Sequence, residues 1–171
     1  MTQNSIELVH ELPFTWRITR YDPARRDAQG SYIGDTWTSI ADVGKVYGGA
    51  KFTTEDYERV EATYIETFKA FADESGIDRL EVRALDFARG LTKQGTIVNG
   101  DEAARLVRAM LREEASFKLE SPSNDFYAHV GFDLYMYIGS ARPCPGAVAK
   151  ATRLGLFVDP EWPSPMLPGG H

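Results

Sequence analysis

The sequence predicts an α+β fold, with helices packed on one face of a mostly antiparallel sheet in a single domain. Strand-like and helix-like segments do not alternate as regular βαβ units, and three strand-like segments follow one another between residues 117 and 138. The length of 171 residues suits one domain. We expect this domain to span residues 1–158, followed by an irregular, proline-rich tail over residues 159–171.

The first predicted elements are a strand and a short helix. A strand is predicted over residues 14–21, because Trp16 and Ile18 alternate with polar side chains. Residues 39–45 are expected to form a short helix that stops at Gly48-Gly49.

The strongest predicted element is a helix over residues 54–75. Thr53 is a favourable N-cap, and Gly76 suits the left-handed residue that ends many helices. Apolar side chains recur at intervals of three and four residues, which predicts one buried stripe: Tyr57, Val60, Tyr64, Phe68 and Phe71.

This helix also carries most of the net charge. Its seven acidic and two basic residues contribute −5, against −6 for the whole chain. Acidity concentrated on one element can match a basic partner surface and steer its approach, although a charge run also serves solubility alone. On the first interpretation, the partner-binding residues of the helix are Glu58, Glu61, Glu66 and Asp73.

The later elements are predicted from the same two periodicities. In chain order they are a strand at 80–85, a helix at 100–115, strands at 117–120, 126–132 and 134–138, a helix at 146–154 and a strand at 156–158. Asn99 and Glu102 resemble a capping box at the start of the second helix. Gly131 indicates a bulge or bend.

Alternation in the late strands predicts a polar and aromatic sheet face. Its members are Lys118, Glu120, Tyr127, His129, Tyr135 and Tyr137, with Asp133 added if Gly131 does not break the phase. Tyrosine and histidine on a sheet face are typical of protein interfaces and pocket linings. Tyrosine is also simply a good strand former on a solvated face.

Nucleotide and metal motifs fail on inspection. Residues 90–95 have the glycine spacing of a phosphate loop, but Thr96-Ile97 stands where Lys-Ser/Thr is required. His129 is the only histidine away from the ends of the chain, which is too little to propose zinc. We therefore expect no metal and no cofactor.

Two catalytic readings remain open. His129 can act as a general base oriented by Glu120 or Asp133, or it can serve a nucleophilic Cys144. No nucleophile lies at a recognisable spacing, and a lone histidine on a strand is more often structural. The chain is therefore not expected to be an enzyme.

Three arginines form a second charged cluster. Arg105, Arg108 and Arg112 share one side of the second helix, where they can hold an anionic ligand. The simpler interpretation is a solvated face on which Asp101 pairs with Arg105.

Composition excludes several classes of partner. The isoelectric point near 5.1 argues against general nucleic-acid binding, which needs a basic surface. No apolar run approaches the length of a membrane span, and no signal peptide is recognisable at the N-terminus. We expect a cytoplasmic protein.

Several distinctive motifs occur in a fixed order along the chain. They are Trp37-Thr38-Ser39, Asp42-Val43-Gly44, Phe52-Thr53-x-Glu55-x-Tyr57, Lys118-Leu119-Glu120 and Phe126-Tyr127-x-His129-x-Gly131-Phe132-Asp133-x-Tyr135-Met136-Tyr137-Ile138-Gly139. Together these motifs resemble a family of small bacterial immunity proteins associated with polymorphic and contact-dependent toxin systems. The resemblance covers residues 16–158.

The resemblance implies a cytosolic protein that binds a cognate toxin domain and blocks its active site or substrate access. An acidic domain suits a basic toxin of the nuclease type. The alternative is a small-molecule-binding domain or small enzyme with a pocket around His129, Tyr127 and Tyr135. Trp37 is either an exposed binding tip or a core residue.

Overall fold

The computed structural model describes residues 12–166 and shows an α+β fold. Residues 1–11 of the predicted domain and 167–171 of the predicted tail lie outside the described range. The strands are β1 (Phe14–Thr19), β2 (Val46–Tyr47), β3 (Ala50–Lys51), β4 (Leu80–Phe87), β5 (Ile97–Val98), β6 (Ser116–Glu120), β7 (Phe126–Val130), β8 (Tyr135–Ser140) and β9 (Phe157–Pro160).

Seven of these strands form one antiparallel sheet in the order β5-β4-β6-β7-β8-β1-β9. The helices are α1 (Thr54–Glu74), α2 (Gly100–Leu111) and α3 (Pro145–Arg153). They pack on one face of the sheet, where Trp16 of β1 meets Phe71 of α1 with ring centroids 4.9 Å apart. The predicted fold class is confirmed.

Helix α1 begins at a capping box and ends before a glycine in the left-handed conformation. Thr53 and Asp56 form a reciprocal capping box, in which each side chain accepts a hydrogen bond from the other residue's backbone amide. Gly76 follows the helix at a φ of 70°, and the Ile77 amide donates to the carbonyl of Ala72. The apolar stripe is buried as predicted, with Val60 only half-buried.

The short helix predicted at residues 39–45 is wrong. One 3-10 turn, Ile40–Asp42, is followed by the two-stranded hairpin of β2 and β3. Gly48 and Gly49 form its turn with φ values of 57° and 79°. Consecutive left-handed residues suit a tight hairpin, so these glycines reverse the chain rather than end a helix.

Two predicted boundaries also shift. Helix α2 ends at Leu111 rather than Ala115, because Glu113 adopts a left-handed φ of 59° and turns the chain toward β6. Gly131 ends β7, and the 3-10 turn Phe132–Leu134 leads into β8. The alternation therefore breaks at Gly131, and Asp133 lies in the turn rather than on the sheet face.

Strand β9 extends two residues beyond the predicted domain boundary at 158. Asp159 and Pro160 belong to β9. The Asp159 carboxylate pairs with Arg17 at 3.2 Å and Arg26 at 2.8 Å, which fastens this edge strand to β1 and to the loop after it.

Trp37 is a core residue. It is 7% exposed and stacks on Phe52 with centroids 4.3 Å apart, so the reading as an exposed binding tip is wrong. Among the described helices, none is long and apolar enough to cross a membrane.

Candidate functional site

The seven acids of α1 do not form one uniform surface. Glu61 is only 4% exposed, and its carboxylate accepts two hydrogen bonds from Arg112, at 2.8 and 2.9 Å. Arg108 lies 3.3 Å away on the same side. The expectation that Glu61 faces a partner is therefore corrected: the carboxylate joins α1 to α2, because a buried charge needs a partner.

Two further acids serve local structure. Asp56 caps the start of its own helix. Glu74 accepts hydrogen bonds from the Gly146 and Ala147 amides at 3.1 and 2.7 Å, and so satisfies the otherwise free donors at the start of α3. The charge sum of −5 therefore overstates the acidity that α1 presents to solvent.

The remaining acids are all exposed and line up. At 100° per residue, Glu55, Glu58, Glu66 and Asp73 fall within an arc of about 80° and span about 27 Å along the helix. Ala62 and Lys69 complete this surface, and both are exposed. We call these six residues the acidic stripe. Three of the four predicted contact residues belong to it.

The arginines of α2 are divided in a similar way. Arg105 pairs with Glu102 at 2.7 Å, not with the predicted Asp101, while Arg108 and Arg112 both reach Glu61. The hydrogen bonds to the Glu61 carboxylate raise the pKa of Arg112, and this effect exceeds the lowering of that pKa by burial. Arg108 and Arg112 are therefore engaged in packing between α1 and α2, whereas Arg105 pairs within its own helix.

The predicted polar-aromatic face lies on the side of the sheet opposite the helices, but the chain itself covers it. Residues 161–166, which we call the strap, follow β9 across this face. The Trp162 amide donates to the Thr15 carbonyl at 3.4 Å. The Arg17 guanidinium lies 3.4 Å from the centroid of the Trp162 ring, a close cation–π stack.

Ser164 is the centre of the strap's contacts. Its amide donates to the Tyr127 hydroxyl at 3.0 Å, and its hydroxyl lies 2.9 Å from Nδ1 of His129. Two residues on, the Met166 carbonyl accepts a hydrogen bond from Lys118 at 3.3 Å. Three residues predicted to bind a partner thus hold the chain's own tail.

The strap removes much of this face from solvent. Lys118, His129 and Tyr137 are 5%, 4% and 9% exposed, whereas Glu120 and Tyr127 are half-buried. Tyr135 is also half-buried and lies further along, between Tyr21 and the Arg17 guanidinium. The expectation of a solvated or open binding face is therefore corrected.

Burial sets the protonation of this cluster. It lowers the pKa of His129 to about 4, and the nearby Lys118 charge adds to the effect. Burial also lowers the pKa of Lys118, although Glu120 at 3.5 Å and the face of Tyr127 at 4.2 Å favour its ammonium form. His129 is therefore neutral at pH 7.

The predicted catalytic arrangements are not assembled. Glu120 pairs with Lys118, and Asp133 lies in the turn after Gly131. Cys144 is buried on the helix side of the sheet, with its sulfur 3.2 Å from the Ser75 hydroxyl, whereas His129 lies on the strap side. The sheet separates the two. Within residues 12–166, no three His, Cys, Asp or Glu side chains are placed to hold a metal ion.

A groove of about 720 Å³ opens beside His129 where the strap ends. Its sides come from the irregular middle of β4, the end of α2, the Gly131 turn and Met166. Sequence reasoning missed Glu113 and Asp86 here, because each lies at an irregular position that no periodicity marks. Phe132 gave a signal, since a phenylalanine beside a strand-breaking glycine is a candidate for exposure; it is 69% exposed.

Comparison with protein-family models, with curated proteins and with solved structures finds no significant match to this chain.

Proposed function

We propose that this protein is a cytosolic immunity protein that binds the basic surface of a cognate bacterial toxin domain through the acidic stripe. The observation that carries the proposal is the alignment of Glu55, Glu58, Glu66 and Asp73 on one exposed side of α1. Lys69 is the single base within the stripe. The sequence resemblance supplies the class of partner.

The shape of the acidic stripe suits inhibition in which α1 covers the substrate cleft of the toxin domain. A rigid helix side about 27 Å long is comparable to the width of a small domain and can lie across a substrate cleft. A nuclease cleft is basic because it holds phosphates, so aligned carboxylates complement it and speed encounter. The sheet side fits a partner less well, because the strap already fills it.

The test is protection in cells. The chain is co-expressed with the toxin-like domain encoded by the neighbouring reading frame, and growth and copurification are measured. We expect the wild-type chain to rescue growth and to copurify with the domain. The double variant Glu58→Lys/Glu66→Lys should lose both, because it puts two positive charges in the middle of the stripe.

The matched control is Asp35→Lys/Glu114→Lys. Both positions are exposed and lie outside α1, and this variant changes the net charge by the same amount. Full protection by the stripe variant, or loss of protection by both variants alike, contradicts the acidic stripe as the contact. No rescue by the wild-type chain contradicts the immunity function itself.

The alternative is a ligand pocket around His129, Tyr127 and Tyr135. The groove reaches His129 but is lined by Tyr137 rather than by the other two tyrosines. The geometry therefore favours the acidic stripe for this function and leaves the groove as a separate site.

A further inference from the structure

The groove beside the strap has the size of a ligand site. Its volume of about 720 Å³ lies within the range typical of small-molecule pockets. Leu85, Met110, Val130 and Phe132 provide apolar lining, and the Phe132 ring stands exposed at its edge. The main part, or body, of a ligand that fits this groove is therefore an apolar or aromatic group.

The charge of the groove has one sign. Asp86 and Glu113 line it, and no Lys or Arg among residues 12–166 does so. Neither carboxylate has an ion-pair partner in that part of the chain, although Glu113 is half-buried. An unpaired, partly desolvated carboxylate favours a cation brought by a ligand.

Backbone conformation builds the groove from irregular segments. Three residues of β4, 84–86, stand opposite the single residue Phe117 of β6, and Ala84 within this bulge has a φ of 48°. Glu113 has a φ of 59°, and Asp133 and Leu134 follow Phe132 at 59° and 63°. Left-handed non-glycine residues are costly and cluster at functional sites. Ala84 and Glu113 line the cavity from two different segments, and Asp133 and Leu134 directly follow Phe132 at its edge.

From the cavity, its unpaired carboxylates and these backbone conformations, we propose that the groove binds a ligand with an aromatic or apolar body and a cationic amine or guanidinium group. The body packs against Leu85, Met110 and Phe132, and the cation lies between Asp86 and Glu113. The ligand is either a free amine or a side chain of a bound peptide. This site does not depend on the acidic stripe or on a toxin partner.

The test is isothermal titration of the full chain with three probes of matched shape. Tryptamine carries the cation, tryptophol is neutral, and indole-3-propionate is an anion. We expect tryptamine to bind at least about 10-fold more tightly than tryptophol, since a charge-assisted hydrogen bond is worth about 1.5–3 kcal/mol, and indole-3-propionate not to bind. Backbone amide NMR shifts should map the binding to Glu113 and Gly131.

Two variants assign the binding to the groove. Glu113→Gln should weaken tryptamine by about 10-fold, because it removes the half-buried charge and keeps the shape. Glu114→Gln is the control, because this neighbour is exposed and lies outside the groove. Equal affinity for all three probes, or equal loss in both variants, overturns the proposal.

The source of the cation is then compared directly. Binding of N-acetyl-Trp-Lys-amide more tightly than tryptamine supports the same chemistry and identifies a peptide side chain, whereas the reverse order supports a free amine. Binding by a chain cut after Met166 and not by the full chain overturns the proposal, because residues 167–171 would then be the occupant.

Discussion

At the scale of single residues, position on an element decides what a charged side chain can do. Glu58 and Glu61 are one helical turn apart, yet Glu58 faces solvent and Glu61 is held by Arg112 across the interface between α1 and α2. Removing one partner of a buried pair leaves the other charge uncompensated, so both charges at this site are needed for folding stability. Residue type alone does not separate these two glutamates.

His129 makes folding stability depend on pH. Its pKa is about 4 in the folded protein and about 6.5 when unfolded. Below pH 6.5, His129 binds a proton in the unfolded chain but not in the folded chain. The free energy of unfolding therefore falls as the pH drops toward 4. We expect a loss of about 2 kcal/mol from this group between pH 7 and pH 5.

Urea unfolding of the wild-type chain and of His129→Gln at both pH values measures this contribution. Glutamine can keep a hydrogen bond to Ser164 and has no proton to gain. The pH-dependent part of the difference between the two proteins should therefore equal the histidine contribution. An identical pH dependence in both proteins would show that His129 titrates normally in the folded state.

At the scale of elements, hydrophobic periodicity predicts the helices and strands that are long enough to show a repeating pattern. Helix α1 and the late strands have long alternating or three-to-four patterns, and the structure confirms them. Strands β2, β3 and β5 have two residues each, too few for any period. Their formation depends on turn glycines and on a neighbouring edge, which are not encoded in hydrophobic spacing.

The contacts of the strap cannot be predicted from the sequence for a related reason. Its prolines correctly predict irregular backbone, but its contacts are to side chains from distant strands. Strand alternation places Tyr127, His129 and Lys118 on one sheet face, and the structure confirms this placement. That the chain's own tail would cover them follows from tertiary placement alone.

The strap therefore controls the environment of His129, which gives a prediction at this scale. In a chain cut after Pro160, we expect the pKa of His129 to rise from about 4 toward 6.5, because Ser164 and the burying segment are gone. NMR titration of the ring proton measures the pKa. The single variant Trp162→Ala, which removes the ring contacts with Arg17 and Arg26 but keeps Ser164, should produce a smaller rise. An unchanged pKa in the cut chain would mean that the sheet itself buries the ring.

At the scale of the whole molecule, charged side chains are engaged differently on α1 and on the strap side of the sheet. Structural pairing removes Glu61 from the surface and engages Asp56 and Glu74 at helix ends, so the unpaired acidity of α1 is confined to the stripe. The strap side of the sheet instead buries Lys118, and Asp159 there is paired with Arg17 and Arg26. These two sides therefore differ, and a basic partner would meet this asymmetry on approach.

This asymmetry predicts how association depends on salt. With a basic toxin domain, stopped-flow association of the wild-type chain should slow by at least about 10-fold between 50 and 500 mM NaCl, since screening shortens the reach of exposed charges. Asp35→Lys/Glu114→Lys should keep most of this dependence, although its net charge is reduced to −2. Glu58→Lys/Glu66→Lys has the same net charge but should associate slowly at low salt and respond weakly to added salt. If both variants slow equally, total charge rather than the stripe guides the encounter.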